Sequence, residues 1–161
     1  MSTFRGDLCG LYMRTSGTYG SPTHEEITLV GDVNVDDSHE EMEADSRGSQ
    51  GVNEFEPGRK ALRITGQLRV NVSSSIFQAI IAAYQAREAV DIMALNAKKT
   101  VNGAIGYRMD MKIFSMGEDQ TQGKVTYRDF TLLPCPSDNP KQTVVITGGA
   151  PVFTDIPLTP A

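Results

Sequence analysis

The chain has 161 residues, 39% of them apolar and 22% charged, and a formal net charge of −5 at pH 7. This length accommodates one domain with a sizeable core, but not two comfortable ones. The acidic balance argues against non-specific attraction to DNA or to anionic membranes, because both carry negative charge. Fifteen glycines and the absence of tryptophan are typical of a β protein rich in loops.

The sequence indicates neither a membrane segment nor a disulfide framework. The longest apolar stretch, Ile76–Ala83, is interrupted by Gln78 and is too short to span a bilayer. No apolar signal region follows Met1. Cys9 and Cys135 lie far apart and form no CxxC motif, which predicts two reduced thiols in a protein made in a cytoplasm.

The first predicted elements lie in the N-terminal third. Residues 1–24 hold many glycines and serines, and they predict an irregular segment with at most a short strand at Leu8–Met13. Apolar and polar residues alternate in Glu26–Val35, which predicts a strand. A second strand, Ser38–Asp45, is predicted to follow a turn at Asp36-Asp37, since aspartates favour turns.

The region from residue 25 to residue 56 is unusually acidic, with eleven of the twenty Asp and Glu residues and a single arginine. Its last part runs into Ser46–Lys60, which contains three glycines and Pro57 and is predicted to be a loop. The stretch Asp32–Gly58 is too acidic for a surface that grips nucleic acid, and it is too poor in His and Cys for most active sites.

The clearest strand is Leu62–Val72, in which apolar and polar residues alternate. Such alternation places one face in a core and the other on a polar surface. Gly66 occupies an apolar position and indicates either a bulge or a close approach of another segment. Ser73-Ser74-Ser75 supplies an N-cap for the one predicted helix, residues 75–87, whose apolar residues recur at helical spacing.

Three further strands are predicted after the helix, at Val90–Leu95, Ile105–Met116 and Lys124–Leu133. In the second of them polar residues alternate with methionines over Arg108–Lys112, which predicts that these polar side chains lie on a polar face. Strands, a single helix and more strands predict a mainly β fold. We expect a β-sandwich or barrel with one flanking α-helix over residues 25–133.

The last 28 residues differ in composition, with six of the eight prolines and three charged residues. Proline cannot donate to a central sheet, so residues 134–161 are predicted to be an extended Pro-rich C-terminal arm with one possible strand at Gln142–Thr147. The arm is too apolar to stay solvated, and a surface on a neighbouring subunit would bury it. The side chains predicted to dock there are Val144, Val145, Ile146, Phe153, Ile156 and Leu158.

Catalytic and metal-binding chemistry is weakly indicated. His39, Glu41, Glu43 and Asp45 would share one face of a strand, where carboxylates and an imidazole can bind a divalent cation. No EF-hand or HExxH spacing accompanies them, and a solvated acidic face is favoured. The chain has two histidines, no Gly-x-Ser-x-Gly motif and no glycine-rich phosphate loop. We therefore predict no catalytic residue, no metal ion, no cofactor and no enzymatic activity.

An ordered set of short motifs carries a resemblance to a known family. The set comprises Leu11–Tyr19, Glu26-Ile27, Gly31–Val35, Glu43–Ser49, Pro57-Gly58, the alternating strand Ala61–Val72 and the helix Ser75–Arg87. In this order, over roughly residues 8–133, the chain resembles the tail tube (major tail) proteins of long-tailed bacteriophages and of their prophage or gene-transfer-agent relatives.

The resemblance implies a β-sandwich subunit of hexameric rings, which stack into a phage tail tube and form the conduit for DNA ejection. It also implies a virion protein, made in the cytoplasm of a bacterial host, with tape-measure and tail-terminator proteins as partners. The loop between the second and third long strands would contact the next ring. Its candidate residues are Ser46, Arg47, Gly48, Ser49, Gln50, Glu54, Phe55 and Glu56.

DNA would pass through such a tube without specific binding. An acidic or balanced wall suits this passage, since contacts from Lys and Arg to phosphates would retain the DNA. The polar faces of the long strands are the candidates for the wall. They are Glu41, Glu43 and Asp45 on one strand, Thr65, Gln67 and Arg69 on another, and Arg108, Asp110 and Lys112 on a third.

Two other functions stay open at this point. A β-sandwich could be a binding module for carbohydrate or a cell surface, although the absence of tryptophan counts against an exposed aromatic platform. A tube subunit of a contractile injection or secretion system would share the ring arrangement and differ in cargo.

Overall fold

The computed structural model describes residues 10–44, 51–120 and 122–157. Within these ranges the chain forms strands and one helix. They are β1 (Gly10–Gly17), β2 (Pro22–Glu26), β3 (Val30–Glu43), β4 (Phe55–Arg69), α1 (Ser75–Ala86), β5 (Val90–Leu95), β6 (Ile105–Asp119), β7 (Tyr127–Pro134), β8 (Gln142–Thr147) and β9 (Ala150–Asp155). The mainly β fold with a single helix, predicted from the sequence, is confirmed.

The strands pair in antiparallel fashion in one sheet. Its main path runs β2-β1-β5-β6-β7-β4-β3, so β2 and β3 are edge strands within the described chain. β6 has two partners on one side, because Met111–Asp119 pairs with β7 while Ile105–Arg108 pairs with β8. β9 continues from β8 as a hairpin.

A hydrophobic core lies on each face of this sheet. Successive strand residues point to opposite faces, so Met109 of β6 enters the larger core, whereas Met93 of β5 enters the smaller one. The larger core contains Leu11, Met13, Ile27, Leu62, Ile64, Leu68, Phe77, Ile80, Ile92, Ala94, Met109, Met111, Phe130 and Leu132. The smaller core contains Tyr12, Met93, Leu95, Ala97, Ala104, Val144 and Ile146, with Phe153 packed against it.

The helix packs one apolar face on the larger core. It begins after Ser74, whose hydroxyl accepts a hydrogen bond from the backbone N–H of Phe77 at 3.4 Å. It ends before Arg87, which adopts a left-handed φ of 57° and donates its N–H to the carbonyl of Tyr84. With 12 residues it is far shorter than a bilayer requires, and no described helix is suited to cross a membrane.

The N-terminal segment differs from its prediction. Residues 1–24 were expected to be irregular with at most a short strand at Leu8–Met13, yet β1 continues to Gly17 and β2 begins at Pro22. Leu11, Tyr12 and Met13 are all buried, because β1 lies between β2 and β5 and both of its faces are covered. A central strand of this kind shows no apolar alternation, so its sequence lacks the usual strand pattern.

The acidic region forms one strand where the sequence predicts two. β3 continues through Asp36 and Asp37, which pair with Arg63 and Leu62 of β4. The ladder to β4 satisfies this backbone and overrides the local preference of aspartate for turns. The turn instead lies at residues 28 and 29, between β2 and β3.

The loop predicted at Ser46–Lys60 is shorter than expected, because β4 already begins at Phe55. Gly66 in the same strand marks a close approach. A Cβ atom at this position would lie 2.8 Å from the carbonyl oxygen of Asp32 and 3.1 Å from the ring of Phe130. One of the two register shifts between β3 and β4 borders the glycine, because it lies between Val30, which pairs with Leu68, and Val33, which pairs with Gly66.

The Pro-rich C-terminal residues fold back on their own chain. β8 coincides with the strand predicted at Gln142–Thr147, and β9, which the sequence does not predict, joins it through Gly148-Gly149. Both glycines have positive φ, as tight hairpin turns require. Within the described residues β9 pairs with β8 alone, so Pro151 is tolerated there. The predicted extended arm is therefore a packed hairpin.

The replacement of Gly106 by alanine is expected to reduce the free energy of unfolding by about 2 kcal/mol through overpacking. A Cβ atom there would lie 1.7 Å from the carbonyl oxygen of Ala94, so β5 and β6 would have to separate. Urea unfolding measures the loss. Gly117→Ala in the same strand is the matched control, since nothing lies within 4 Å of its Cβ position. Equal stability of the two variants would contradict the prediction.

Candidate assembly surface and a buried charge network

β3 and β4 extend beyond the rest of the sheet as a two-stranded ribbon. β4 pairs with β7 only over Ile64–Arg69, whereas it pairs with β3 as far as Phe55, opposite Glu43. Every residue of β3 after Val30 is exposed. An isolated two-stranded hairpin is marginally stable in water. A ribbon of this length with both faces in solvent therefore presents a surface for another molecule.

The ribbon tip, defined as residues 39–44 and 51–59, carries exposed apolar side chains. Met42 is 55% exposed, Phe55 53% and Val52 66%. The backbone N–H of Ala44 donates to the carbonyl of Glu54 at 2.9 Å, which closes the paired part of the ribbon.

Three of the residues predicted for inter-ring contact lie at this tip, namely Glu54, Phe55 and Glu56. The other five, Ser46, Arg47, Gly48, Ser49 and Gln50, lie outside the described residues.

A polar cluster holds the root of the ribbon, where Asp37 of β3 and Lys60 of β4 lie, against β6. The hydroxyl of Tyr107 donates to Asp37 of β3 at 2.8 Å, and the Lys60 ammonium of β4 donates to the same hydroxyl at 2.5 Å. The ammonium also lies 4.0 Å from the centroid of the Tyr107 ring. Although burial lowers the pKa of Lys60, its hydrogen bonds to Tyr107 and Asp37 raise that pKa above its usual value. The sequence did not indicate this cluster, because its members come from three distant segments.

Two of the three sets of candidates for a tube wall come from β3 and β4. Thr65 lies next to the buried Ile64, so it points away from the larger core, and Gln67 and Arg69 share its face. Val35 pairs with Ile64 and lies on the core side of the sheet. Period-two alternation along β3 continues that side to the two exposed glutamates, Glu41 and Glu43. The two sets therefore occupy opposite faces, and Asp45 lies outside the described residues.

The third set of wall candidates is not a surface. Arg108 is 1% exposed and forms an ion pair with the fully buried carboxylate of Asp91 on β5. Its Nη2 lies 2.7 Å from Oδ2, and its Nε lies 3.1 and 3.2 Å from the two carboxylate oxygens. The prediction that Arg108 lies on a polar face is wrong, because hairpin β8–β9 covers that face of β6. Asp110 and Lys112 are only half-buried.

Arg108 connects four parts of the chain. Its Nη1 donates to the side-chain oxygen of Gln142 in β8 at 3.1 Å, and its Nη2 donates to the backbone carbonyl of Tyr19 at 2.8 Å. The guanidinium lies 3.7 Å from the centroid of the Tyr19 ring and 4.5 Å from that of Phe153 in β9. Burial, the largest influence, raises the pKa of Tyr19 to about 12.

Two further basic side chains lie beside Asp91. Nε2 of His24 lies 3.3 Å from one carboxylate oxygen, and Nε of Arg14 lies 3.4 Å from the other. Burial acts to raise the pKa of Asp91, but the hydrogen bonds from His24 and Arg108 outweigh it and hold this pKa below its usual value. A lone carboxylate inside the apolar run of β5 was the one sequence signal for this network.

The described residues contain no group of three or more His, Cys, Asp and Glu side chains that could hold a metal ion. An open groove of about 1270 Å³ lies between β3 and the strands β1, β5, β6 and β8. Its walls are largely apolar and include Leu11, Ile27, Val33, Val35, Ile105 and Val145. The last four are exposed, so the groove adds apolar surface beside the ribbon root.

Some of the hydrophobic side chains predicted to dock on a neighbouring subunit are packed in this chain's own core, and others are not. Val144 and Ile146 are buried in the smaller core of this chain, and Phe153 packs against that core. Val145 is exposed, Ile156 is half-buried, and Leu158 lies outside the described residues.

No protein-family model and no curated protein sequence matches this chain. Its fold is nevertheless that of known tail proteins. The chain is similar to one in the SPP1 tail tube, with a TM-score of 0.65, 13% identity, and coverage of 96% of this chain and 80% of the other.

Two other solved structures share the fold. A chain from the tail of an empty gene transfer agent particle with C6 symmetry gives a TM-score of 0.60 at 12% identity, over 91% of this chain and 94% of the other. A chain from the sheath–tube complex of PVC, an extracellular contractile injection system, gives a TM-score of 0.56 at 13% identity, over 96% of this chain and 93% of the other. The tail-tube-like fold expected from the sequence is thus confirmed.

The replacement of Asp91 by asparagine is expected to reduce the free energy of unfolding by about 3 kcal/mol, because Arg108 would remain buried without an anionic partner. The loss should depend on pH. Since the pKa of Asp91 is lowered in the folded chain, its stabilisation is complete above pH of about 4 and disappears as the pH falls through the folded pKa. The difference between variant and wild type should therefore narrow in acid.

Urea unfolding at several pH values measures this difference. Asp129→Asn on β7 is the matched control, because it neutralises an exposed carboxylate. A loss for Asp91→Asn that is no greater than that of the control, or that stays constant down to pH of about 2, would contradict the role given to the ion pair.

Proposed function

We propose that this protein is the subunit of a phage-type tail tube, in which hexameric rings stack into a conduit for DNA ejection. The observation that carries the proposal is the β3–β4 ribbon, exposed on both faces and apolar at its tip, on a fold shared with tail chains. A protein that acts as a monomer gains nothing from such a ribbon. A stacked assembly uses it as a contact to the next ring.

The chemistry of the ribbon tip supports a contact between protein molecules. Met42, Val52 and Phe55 each expose apolar surface that water disfavours, and the burial of each would contribute about 2 kcal/mol. Met42 lies on one face of the ribbon, and Phe55, which pairs with Glu43, lies on the other. We assign the stacking role to this tip, with Glu54, Phe55 and Glu56, and to the predicted loop residues 46–50 that connect its two segments in the sequence. The exposed Val145 and the half-buried Ile156 remain candidates for contacts within a ring.

A conduit for DNA must not retain DNA. β3 carries six carboxylates among its 14 residues and no Lys or Arg, so it repels phosphates. Either Glu41 and Glu43 or the opposite face with Thr65, Gln67 and Arg69 would line the wall. In this role the protein is a component of the virion and is made in the cytoplasm of a bacterial host. Its partners are tape-measure and tail-terminator proteins, and it needs no cofactor.

A second assembly has support from one comparison. The fold likeness to a chain of an extracellular contractile injection system extends over 96% of this protein. A tube in such a system would use the same ribbon and rings with a different cargo. The two functions differ in the content of assembled particles, and nuclease treatment of purified particles followed by DNA extraction separates them.

Deletion of residues 47–52 is expected to leave a folded protein that does not form tubes. The deletion retains the paired ribbon and leaves a three-residue link between Ala44 and Glu54, a length that hairpins commonly use. Its thermal unfolding midpoint should stay near that of the wild type, whereas electron micrographs at high protein concentration should show no tubes.

A variant with the same six residues replaced by glycine and serine controls for length. If this variant forms tubes and the deletion variant does not, tube formation depends on the length of the loop and not on its side chains. Tubes of normal yield from the deletion variant would refute the stacking role of this loop.

A further inference from the structure

The end of the subunit opposite the ribbon tip also exposes apolar side chains. Val72 is 70% exposed, Val125 52% and Tyr127 38%. They lie on two segments that meet, since the N–H of Val70 donates to the carbonyl of Thr126 at 3.1 Å. We call residues 69–74 and 122–128 the lower pole.

The lower pole and the ribbon tip are the two ends of one strand. β4 runs from Phe55 at the tip to Arg69 at the pole, and Arg69 pairs with Tyr127. Its 15 residues span about 45 Å at the usual strand rise. A second copy displaced along this strand direction would therefore bring its tip towards the pole of the first.

The two ends differ in charge. The tip carries five carboxylates, those of Glu40, Glu41, Glu43, Glu54 and Glu56, and its single Lys or Arg residue is Arg59. The pole carries the exposed cations Arg69 and Lys124. Arg128 at the pole is paired with Glu118 at 2.6 Å. Opposite signs at the two ends favour head-to-tail contact and disfavour contact between two tips.

We propose that the lower pole, through Val72, Val125 and Tyr127, is the surface that receives the ribbon tip of a second copy in the next ring. This inference rests on the proposed function, and it assigns the second surface of the proposed contact between rings. The contact joins two different patches, so it is heterologous and leaves a free tip and a free pole at the ends of any stack. Such a contact propagates without closing on itself, as a tube requires.

Val125→Glu tests the assignment, because it places a carboxylate opposite an acidic tip. The critical concentration for tube formation, measured by sedimentation and electron microscopy, should rise by about tenfold or more. Val72→Glu, on the other segment of the pole, should act in the same direction. The double variant Val125→Glu/Glu56→Lys should recover part of the assembly, since it restores opposite charges.

Val101→Glu, between β5 and β6, is the matched control, because Val101 is 37% exposed and belongs neither to the pole nor to the ribbon tip. It should assemble like the wild type. If wild-type protein forms no tubes under any condition, the proposed function fails. If wild-type tubes form and the two pole variants form them equally well, or if the control is impaired to the same extent, the pole assignment alone is overturned.

Discussion

The ion pair between Asp91 and Arg108 is the interaction on which the rest of the structure depends. It lies where β1, β2, β5, β6 and the C-terminal hairpin meet, and both side chains are removed from water. Desolvation of two charges is costly, and it is offset only when the remaining donors and acceptors are satisfied. Here Gln142 and the backbone of Tyr19 complete the guanidinium, and the described residues contain no buried side-chain N or O atom without a partner.

This pair also explains why the sheet has two covered faces. Arg108 contacts the rings of Tyr19 and Phe153, and Phe153 packs hairpin β8–β9 over the smaller core. With that closure the body of the protein leaves few unsatisfied surfaces. Most of the exposed large apolar side chains among the described residues lie on the ribbon, in the groove at its root and on the lower pole, and these are the surfaces that the proposed assembly would use. The charge pattern of β3 fits this division, because carboxylates along an edge strand discourage indiscriminate pairing with other chains.

The sequence predicted those elements whose two faces differ. Alternation located the core half of β4 and of β6, a short apolar run located β5, and the serine cap located α1. It failed where both faces have the same environment. β1 is buried on both sides, and the ribbon is exposed on both. The same limit explains Arg108, since a polar residue in an alternating strand looks identical whether water or a folded-back hairpin faces it. Glu54, Phe55 and Glu56, predicted for inter-ring contact, lie at the exposed ribbon tip, and their stacking role stays a prediction. The sequence could not indicate the lower pole, because its apolar residues lie in two distant segments.

A ribbon tip with three apolar side chains makes a weak contact by itself. Binding of about 4 kcal/mol corresponds to a millimolar dissociation constant, and much of the apolar gain is lost to immobilisation of the partners. In the proposed sixfold ring, however, six tips meet six poles at once. After the first contact forms, the others form within the same complex at high effective concentration, so the stack becomes far more stable than any single contact. Weak individual contacts also let misplaced subunits dissociate, which favours a regular tube. The acidic tip therefore has two consistent roles. Its charge disfavours contact between two tips, and it favours contact with the complementary pole of the next ring.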